Sequence, residues 1–360
     1  MSTHRAALCP GKGSPLEIVD RPTPVPGPNQ VVVESKALAV NPVDYSENFL
    51  SFLSVPVTNI KNQPVMRDGF QVGSWPVVLG SDVAGIVSAV GNQVTNVKVG
   101  DRVLAYAQAF AMKGKPDFGA FQEQVLVPSH LVVPIPGDLT FTDAATLPLA
   151  VYTTATGYFV QLGVPRAGYS PADKKAVIVW GAGGSIGTVA VQVAKILGFT
   201  VYATASKTHH EYLKSLGAHK CFDYKDAGVV DDIVNTVKAD GFVLDMGYLA
   251  TGDVSLIVET LGKFGVKGAK VASAPFSFKM LWWKVYNWGG VGVEFVDQPA
   301  KDADSFYEFV YSNWLKDLLK NRRLVASPKV EIVSGGLSGL EAALGKLKMG
   351  VSGIKLVVHF

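Results

Sequence analysis

Residues 177–195 read VIVWGAGGSIGTVAVQVAK: a run rich in β-branched residues, then a glycine-dense turn, then apolar residues at helical spacing. A strand that breaks into a helix across bare backbone suits a dinucleotide. The turn must be tight, the main chain must approach a pyrophosphate, and the helix must pack close to the strand. Gly181, Gly184 and Gly187 are the candidates for these tasks, with Ser185 and Ile186 opening a helix whose free N–H groups and positive dipole end favour phosphate. The spacing is not the strict G-x-G-x-x-G: the glycines fall at intervals of three, or as Gly181-Ala182-Gly183 with the last one place late. Packing alone can also enrich such a turn in glycine. The flanking strand, the helix and the βα unit after them favour the nucleotide.

The end of the next strand separates the two nicotinamide cofactors. NAD sites usually place an acid there for the ribose hydroxyls, whereas a 2′-phosphate needs cations and hydroxyl donors. Residues 203–210 are ATASKTHH, with Ser206 and Lys207 and no carboxylate before Glu211. NADPH is the cofactor expected, the alternative being that Lys207 and His209 are only solvated loop residues.

Around this stretch the chain changes rhythm. Residues 1–150 carry short β-runs, at 31–35, 82–91, 101–107 and 121–128, separated by Pro- and Gly-rich joints. From about 150 strands alternate with helices: 176–180, a helix near 185–197, 200–205, a helix near 209–216, 241–246 and 269–274. That alternation predicts a parallel, doubly wound sheet. Amphipathic helices are expected near 304–319, with Phe306, Phe309, Val310, Trp314 and Leu318 on one face, and near 337–348, followed by a strand in IKLVVHF. A length of 360 residues accommodates about two such domains.

Composition narrows the function. A net charge of +3 with no basic run longer than KNRR at 320–323 argues against nucleic-acid binding. No stretch reaches the ~18 apolar residues of a membrane span, and the start of the chain has no signal-peptide core, so a cytoplasmic protein is expected. Two cysteines, Cys9 and Cys221, provide neither a disulfide framework nor a multi-cysteine metal site.

The segments AVNPVDY (39–45), LGSDVAGIVSAVG (79–91), VGDRV (99–103), GAFQEQ (119–124), AATLPLAVYTTA (144–155), the glycine stretch and VSGIKLVV (351–358) occur in an order that resembles the medium-chain dehydrogenase/reductase superfamily. The resemblance is to its zinc-free quinone-oxidoreductase and enoyl-reductase branch, and within that to fungal trans-acting enoyl reductases of polyketide pathways. It implies an α/β protein: a GroES-like β-rich catalytic domain at 1–152 and 301–360, and a doubly wound Rossmann NADP-binding domain at 153–300. Zinc-dependent relatives carry ligands where this chain has Asn41, Val43 and Ser81-Asp82, and a four-cysteine loop after VGDRV that is missing here. No metal is therefore expected.

What the resemblance then implies is hydride delivery to an activated C=C bond of an enoyl thioester, enone or quinone. Asn41 and Thr153 would lie near the nicotinamide, Lys207 and Tyr224 at the 2′-phosphate, and Lys355 at a C-terminal cofactor contact. Each has a structural alternative: Asn41 fixing a turn before Pro42, Asp44 in an internal salt bridge, Tyr224 a half-buried strand residue. Related thioester reductases place a tyrosine as proton donor where this chain has Phe52; Tyr45, beside Asp44, is a candidate acid, the alternatives being that it only packs and that solvent or the substrate's own enolate suffices. The partner would be a small-molecule or carrier-bound acyl substrate, with a polyketide synthase as the protein partner. The connection at 45–79 and the aromatic run at 276–288 are candidate substrate-facing segments, the alternatives being a dimer contact or plain surface insertion for the first and core or subunit-interface packing for the second. A strand in GGVGVEFVD (289–297) would decide between monomer and homodimer. The alternative function is an NADPH-binding member repurposed as a non-reducing isomerase, cyclase or regulator.

Overall fold

The computed structural model describes residues 2–44, 72–275, 290–297 and 302–360. Tyr45, Phe52, most of the 45–79 connection and the aromatic run at 276–288 lie outside the described residues. Backbone contacts divide the chain into two units, the described parts of the first being 2–44, 72–149 and 302–360, and of the second 150–275 and 290–297.

The first unit is built on mainly antiparallel sheets, the one parallel pair among its described strands being β15 (Lys329–Val333) with β16 (Ile354–His359). Strands β1 (Thr3–Cys9), β2 (Glu17–Pro22) and β4 (Val77–Val78) form a small sheet in the order β2-β1-β4. A larger sheet contains β3 (Gln30–Ala39), β5 (Asp82–Val90), β6 (Arg102–Tyr106), β8 (Val132–Pro134), β15 (Lys329–Val333) and β16 (Ile354–His359), ordered β15-β16-β3-β5-β6-β8. A further strand, β7 (Gln124–Pro128), pairs with β3. Branched aliphatic side chains of β3 and β5 face each other across the ladder, as at Val33↔Val87 and Leu38↔Val83, and all four are buried. Branched side chains suit such a pleated, covered surface. The last strand, β16, runs antiparallel to β3, with Val357 opposite Ala39.

The second unit is a parallel sheet. Strands β9 (Ala176–Trp180), β10 (Thr200–Thr204), β11 (Lys220–Phe222), β12 (Leu244–Leu249), β13 (Lys270–Ser273) and β14 (Gly292–Phe295) take the order β11-β10-β9-β12-β13-β14. Every residue of β9 is buried, as a central parallel strand requires. Strand order reverses beside β9, and the crevice at the carboxyl ends of strands flanking such a reversal is where open α/β sheets bind ligands. Gly181 begins there.

Helices α1 (Phe141–Ala144) and α2 (Pro148–Ala155) precede this sheet, and α3 (Ser185–Ile196), α4 (His210–Leu216), α5 (Val229–Ala239) and α6 (Val254–Gly262) connect its strands.

Two expectations shift. The strand expected at 241–246 starts at Leu244 because Gly241 and Phe242 cap α5: Phe242 N–H bonds to Val237 O and Gly241 N–H to Lys238 O, each at 3.0 Å, with Gly241 at φ +77°. That is a Schellman motif. The helix expected near 304–319 is present but contains a π-helical turn at Phe309–Leu315. Its wider i→i+5 step turns Leu315 inward, so Tyr307, Val310, Tyr311, Leu315 and Leu318 are buried while Trp314 is only partly covered.

Candidate active site

The glycine turn leaves β9 with Gly181 at φ +73°, a conformation side chains disfavour. A Cβ there would stand 2.5 Å from the Thr251 carbonyl oxygen. Thr204, at the end of β10, locks the turn: its Oγ1 accepts the Gly181 N–H at 3.0 Å and its carbonyl the Ala182 N–H at 2.8 Å. Gly187, one turn into α3, would push a Cβ to 2.6 Å from Ala182 Cα, so glycine sets how closely helix and strand approach.

At Gly184, the N-cap of α3, a Cβ would meet nothing within 4 Å and no side chain caps the helix. Beside it the buried Ser185 Oγ has no hydrogen-bond partner. An open, uncapped helix N-terminus with an unused hydroxyl fits a pyrophosphate. Gly181, Gly184, Ser185, Ile186 and Gly187 are the residues that would hold it.

Past β10, Ser206 precedes a 3-10 turn at Lys207–His209. Its Oγ is 3.4 Å from the Tyr224 hydroxyl, and Tyr224 is 41% exposed, in a turn beyond β11 and not in a strand. The structure thus brings Ser206, Lys207 and Tyr224 to one edge. It also brings carboxylates that the run 203–210 does not contain. Asp223 accepts the Lys207 N–H at 3.3 Å, and Asp226 lies 3.5 Å from Lys207 Nζ. Both Lys207 and Asp226 side chains are exposed, so this pair is weak and the ammonium can exchange it for a phosphate.

A second cluster lies in the first unit. The β3 register sets Ala39 opposite both Asp82 and Val357, and Val40 N–H bonds to Leu356 O at 3.2 Å. Asn41, just beyond, therefore meets Asp82 of β5 and Lys355 of β16. Asn41 Nδ2 donates to Asp82 Oδ2 at 2.9 Å, Lys355 Nζ lies 3.1 Å from the same oxygen, and Lys355 also donates to Asn41 Oδ1. The remaining Asp82 oxygen accepts the Leu149 N–H in the first turn of α2 at 2.6 Å. Asn41, Asp82 and Lys355 are all buried.

Asn41 also fixes the turn before Pro42. Its backbone N–H bonds to Asp44 Oδ2 at 2.8 Å and its carbonyl accepts the Asp44 N–H at 2.9 Å. Asp44 is fully buried; burial first, then the neighbouring Asp82 charge, raises its pKa to about 7 against the pull of the Asn41 N–H, Lys355 and the Gly80 N–H.

Thr153 lies on α2 in the second unit, where its carbonyl accepts the Tyr248 hydroxyl at 2.9 Å. Lys355, expected at a cofactor contact, lies against Asn41 and Asp82. Sequence reasoning passed over Asp82 as a participant. The available signal was a carboxylate beginning an otherwise apolar strand.

The positions that hold zinc ligands in metal-dependent relatives do not fit that metal here. Val43 has no donor atom, Asn41 supplies only an amide, and the Asp82 carboxylate is already paired with an ammonium that would repel a cation. Among the described residues no group of three or more His, Cys, Asp or Glu could hold a metal ion.

A β-rich unit joined to a 3-2-1-4-5-6 parallel sheet with a glycine turn defines a nicotinamide-dependent dehydrogenase or reductase. Family models agree: an alcohol dehydrogenase GroES-like domain matches residues 27–137 and a zinc-binding dehydrogenase domain residues 185–274. The chain belongs to the medium-chain dehydrogenase/reductase superfamily. It is 39% identical to the trans-enoyl reductase tndF of Aspergillus flavipes, over 99% of this chain and 98% of that one. It is 43% identical to the trans-enoyl reductase tazE of Aspergillus terreus, over 76% and 86%. In fold it matches an alcohol dehydrogenase superfamily protein from Novosphingobium aromaticivorans, with a TM-score of 0.75 at 23% identity, over 99% and 100%. No described helix is long and apolar enough to cross a membrane.

Proposed function

We propose that the chain is an NADPH-dependent reductase of activated carbon–carbon double bonds, acting on enoyl thioesters and, by analogy with the trans-enoyl reductases it resembles, on acyl chains presented by a polyketide synthase. Two observations carry this reading: a glycine turn fit for a dinucleotide in the second unit, and in the first a buried Asp82 carboxylate committed to Lys355 and not to a metal. Reduction of a carbonyl group in this superfamily leans on a metal as Lewis acid. Reduction of a conjugated double bond needs a hydride at the β-carbon and a proton at the α-carbon. The nicotinamide supplies the hydride when bound, and the protein supplies orientation and electrostatics.

In this reading Ser206, Lys207 and Tyr224 meet the 2′-phosphate, Thr153 the nicotinamide, and Asn41 the reacting end. Two bonds leave Asn41 one Nδ2 hydrogen and one Oδ1 lone pair. Tyr45 remains the candidate acid, with solvent as the other source of the proton.

The test is loss of NADPH absorbance, with NADH as control, over a panel of 2-enoyl thioesters, simple enones and quinones, both free and carrier-bound. Turnover of enoyl thioesters with NADPH is the expected result. Tight NADPH binding without turnover of any substrate would replace the reductase by the non-reducing alternative, and no nucleotide binding would end both.

A further inference from the structure

Three buried side chains from three strand ends close a ring: Asn41 after β3, Asp82 at the start of β5 and Lys355 in β16. Lys355 is 4% exposed and Asp82 fully buried. Burying an ammonium and a carboxylate costs more than apolar side chains of the same size would, so a pair of this kind is weak evidence for stability. Its best-supported use is to specify one arrangement among several. Here the group with several arrangements is the Asn41 amide, whose two faces exchange by a flip that reverses donor and acceptor.

We infer that Lys355 is a positioning residue for Asn41: its ammonium permits only the amide orientation with Oδ1 toward lysine and Nδ2 toward Asp82, and so fixes which hydrogen and which lone pair Asn41 offers beyond the ring. The bonds allow no other assignment. A flipped amide would set Nδ2 against the ammonium, donor to donor, and Oδ1 against the Asp82 carboxylate, acceptor to acceptor. Asp82 extends the ring, because its second oxygen holds the Leu149 N–H, so the amide is referenced to the first turn of α2 as well as to the sheet. Asp44 completes the restraint by gripping the Asn41 backbone N–H. Side chain and main chain of one residue are thereby held by separate carboxylates.

This inference rests on Asn41 serving the reaction proposed above, and the experiment separates the two. Purified K355M, N41A and the double variant K355M/N41A are compared with the wild type for NADPH Kd and for kcat on the enoyl thioester that the panel identifies. K355M is expected to keep Kd within about threefold and to lose tenfold or more in kcat, whereas in the N41A background the same change costs less than twofold. K355R keeps the charge and is expected to retain more of kcat than K355M. A tenfold rise in Kd at unchanged kcat would make Lys355 a cofactor contact instead, and an equal kcat loss in both backgrounds would make it merely structural; either overturns the inference.

A measurement independent of turnover accompanies these. In protein labelled with 15N-asparagine, the Nδ2 hydrogens of Asn41, assigned by their loss in N41A, are expected to be distinct and slow to exchange in the wild type and fast in K355M. Unchanged signals in K355M would defeat the inference whatever the substrate proves to be. Should K355M not fold, K355Q/D82N removes both charges together and is read in the same way.

Discussion

Asp82 accepts the backbone N–H of Leu149 at 2.6 Å while its other oxygen lies 3.1 Å from Lys355 Nζ, so one buried carboxylate ties a sheet strand, the C-terminal strand and the first turn of α2. Truncating it strands the ammonium. D82A is expected to lose roughly 3–5 kcal/mol, the usual cost of breaking one side of a buried pair. D82N keeps an acceptor for Leu149 and loses less. Urea unfolding of both variants measures the difference, and a D82A loss below about 1 kcal/mol would contradict the buried pairing.

Asp44 makes stability depend on pH in an unusual direction for a carboxyl group. Its pKa is about 7 in the fold and 3.8 as the ordinary value. Between those values the folded chain holds a proton that the unfolded chain has released. The contribution is therefore fully present below about pH 4 and lost as pH rises to 7, on the order of 4 kcal/mol in all. D44N, which cannot titrate, should flatten the fall of the urea midpoint as pH rises from 4.5 to 7.5. Identical slopes in variant and wild type would show that Asp44 is ionised throughout.

The glycine turn separates packing from binding. A methyl group at Gly187 would stand 2.6 Å from Ala182 Cα, so G187A is expected to cost about 1–3 kcal/mol by prying helix from strand. At Gly184 the same methyl meets no protein atom. G184A should stay within about 1 kcal/mol of the wild type, since alanine is only a poorer N-cap than glycine, yet bind NADPH at least tenfold more weakly. Unimpaired binding by G184A would move the pyrophosphate away from this helix end.

If the cofactor is NADPH, Lys207 is the residue expected to separate it from NADH. Its exposed pair with Asp226 contributes little to the fold, so K207A should unfold at the wild-type temperature. Its Kd for NADPH should rise about tenfold while that for NADH stays put. Equal effects on both nucleotides, read by titration of intrinsic fluorescence, would deny it the 2′-phosphate.

Much of the fold was legible because its signals are local. Strand β9 and helix α3 announce themselves through a β-branched run, glycines and helical spacing within about twenty residues, and the order of motifs from AVNPVDY to VSGIKLVV identifies the superfamily without any long-range contact. The sequence reading stopped at features whose cause lies elsewhere in the chain. Leu244 begins β12 only because Gly241 and Phe242 are used to cap α5, and Trp314 leaves the core because a π turn shifts the helix face.

The candidate site divides along the same line. Gly181, Gly184 and Gly187 lie within one turn and one helix start, so adjacency in sequence sets their adjacency in space. Ser206 and Tyr224 are brought together by the parallel pairing of β10 with β11, and that pairing also delivers Asp223 and Asp226 to Lys207, which no reading of 203–210 contains. The residue types of Asn41, Asp82 and Lys355 are written in the sequence, but their meeting is not. Strand register decides it: β3 sets Ala39 against Asp82 on one side and against Val357 on the other, and a slip of one residue would send each side chain to the opposite face of the sheet.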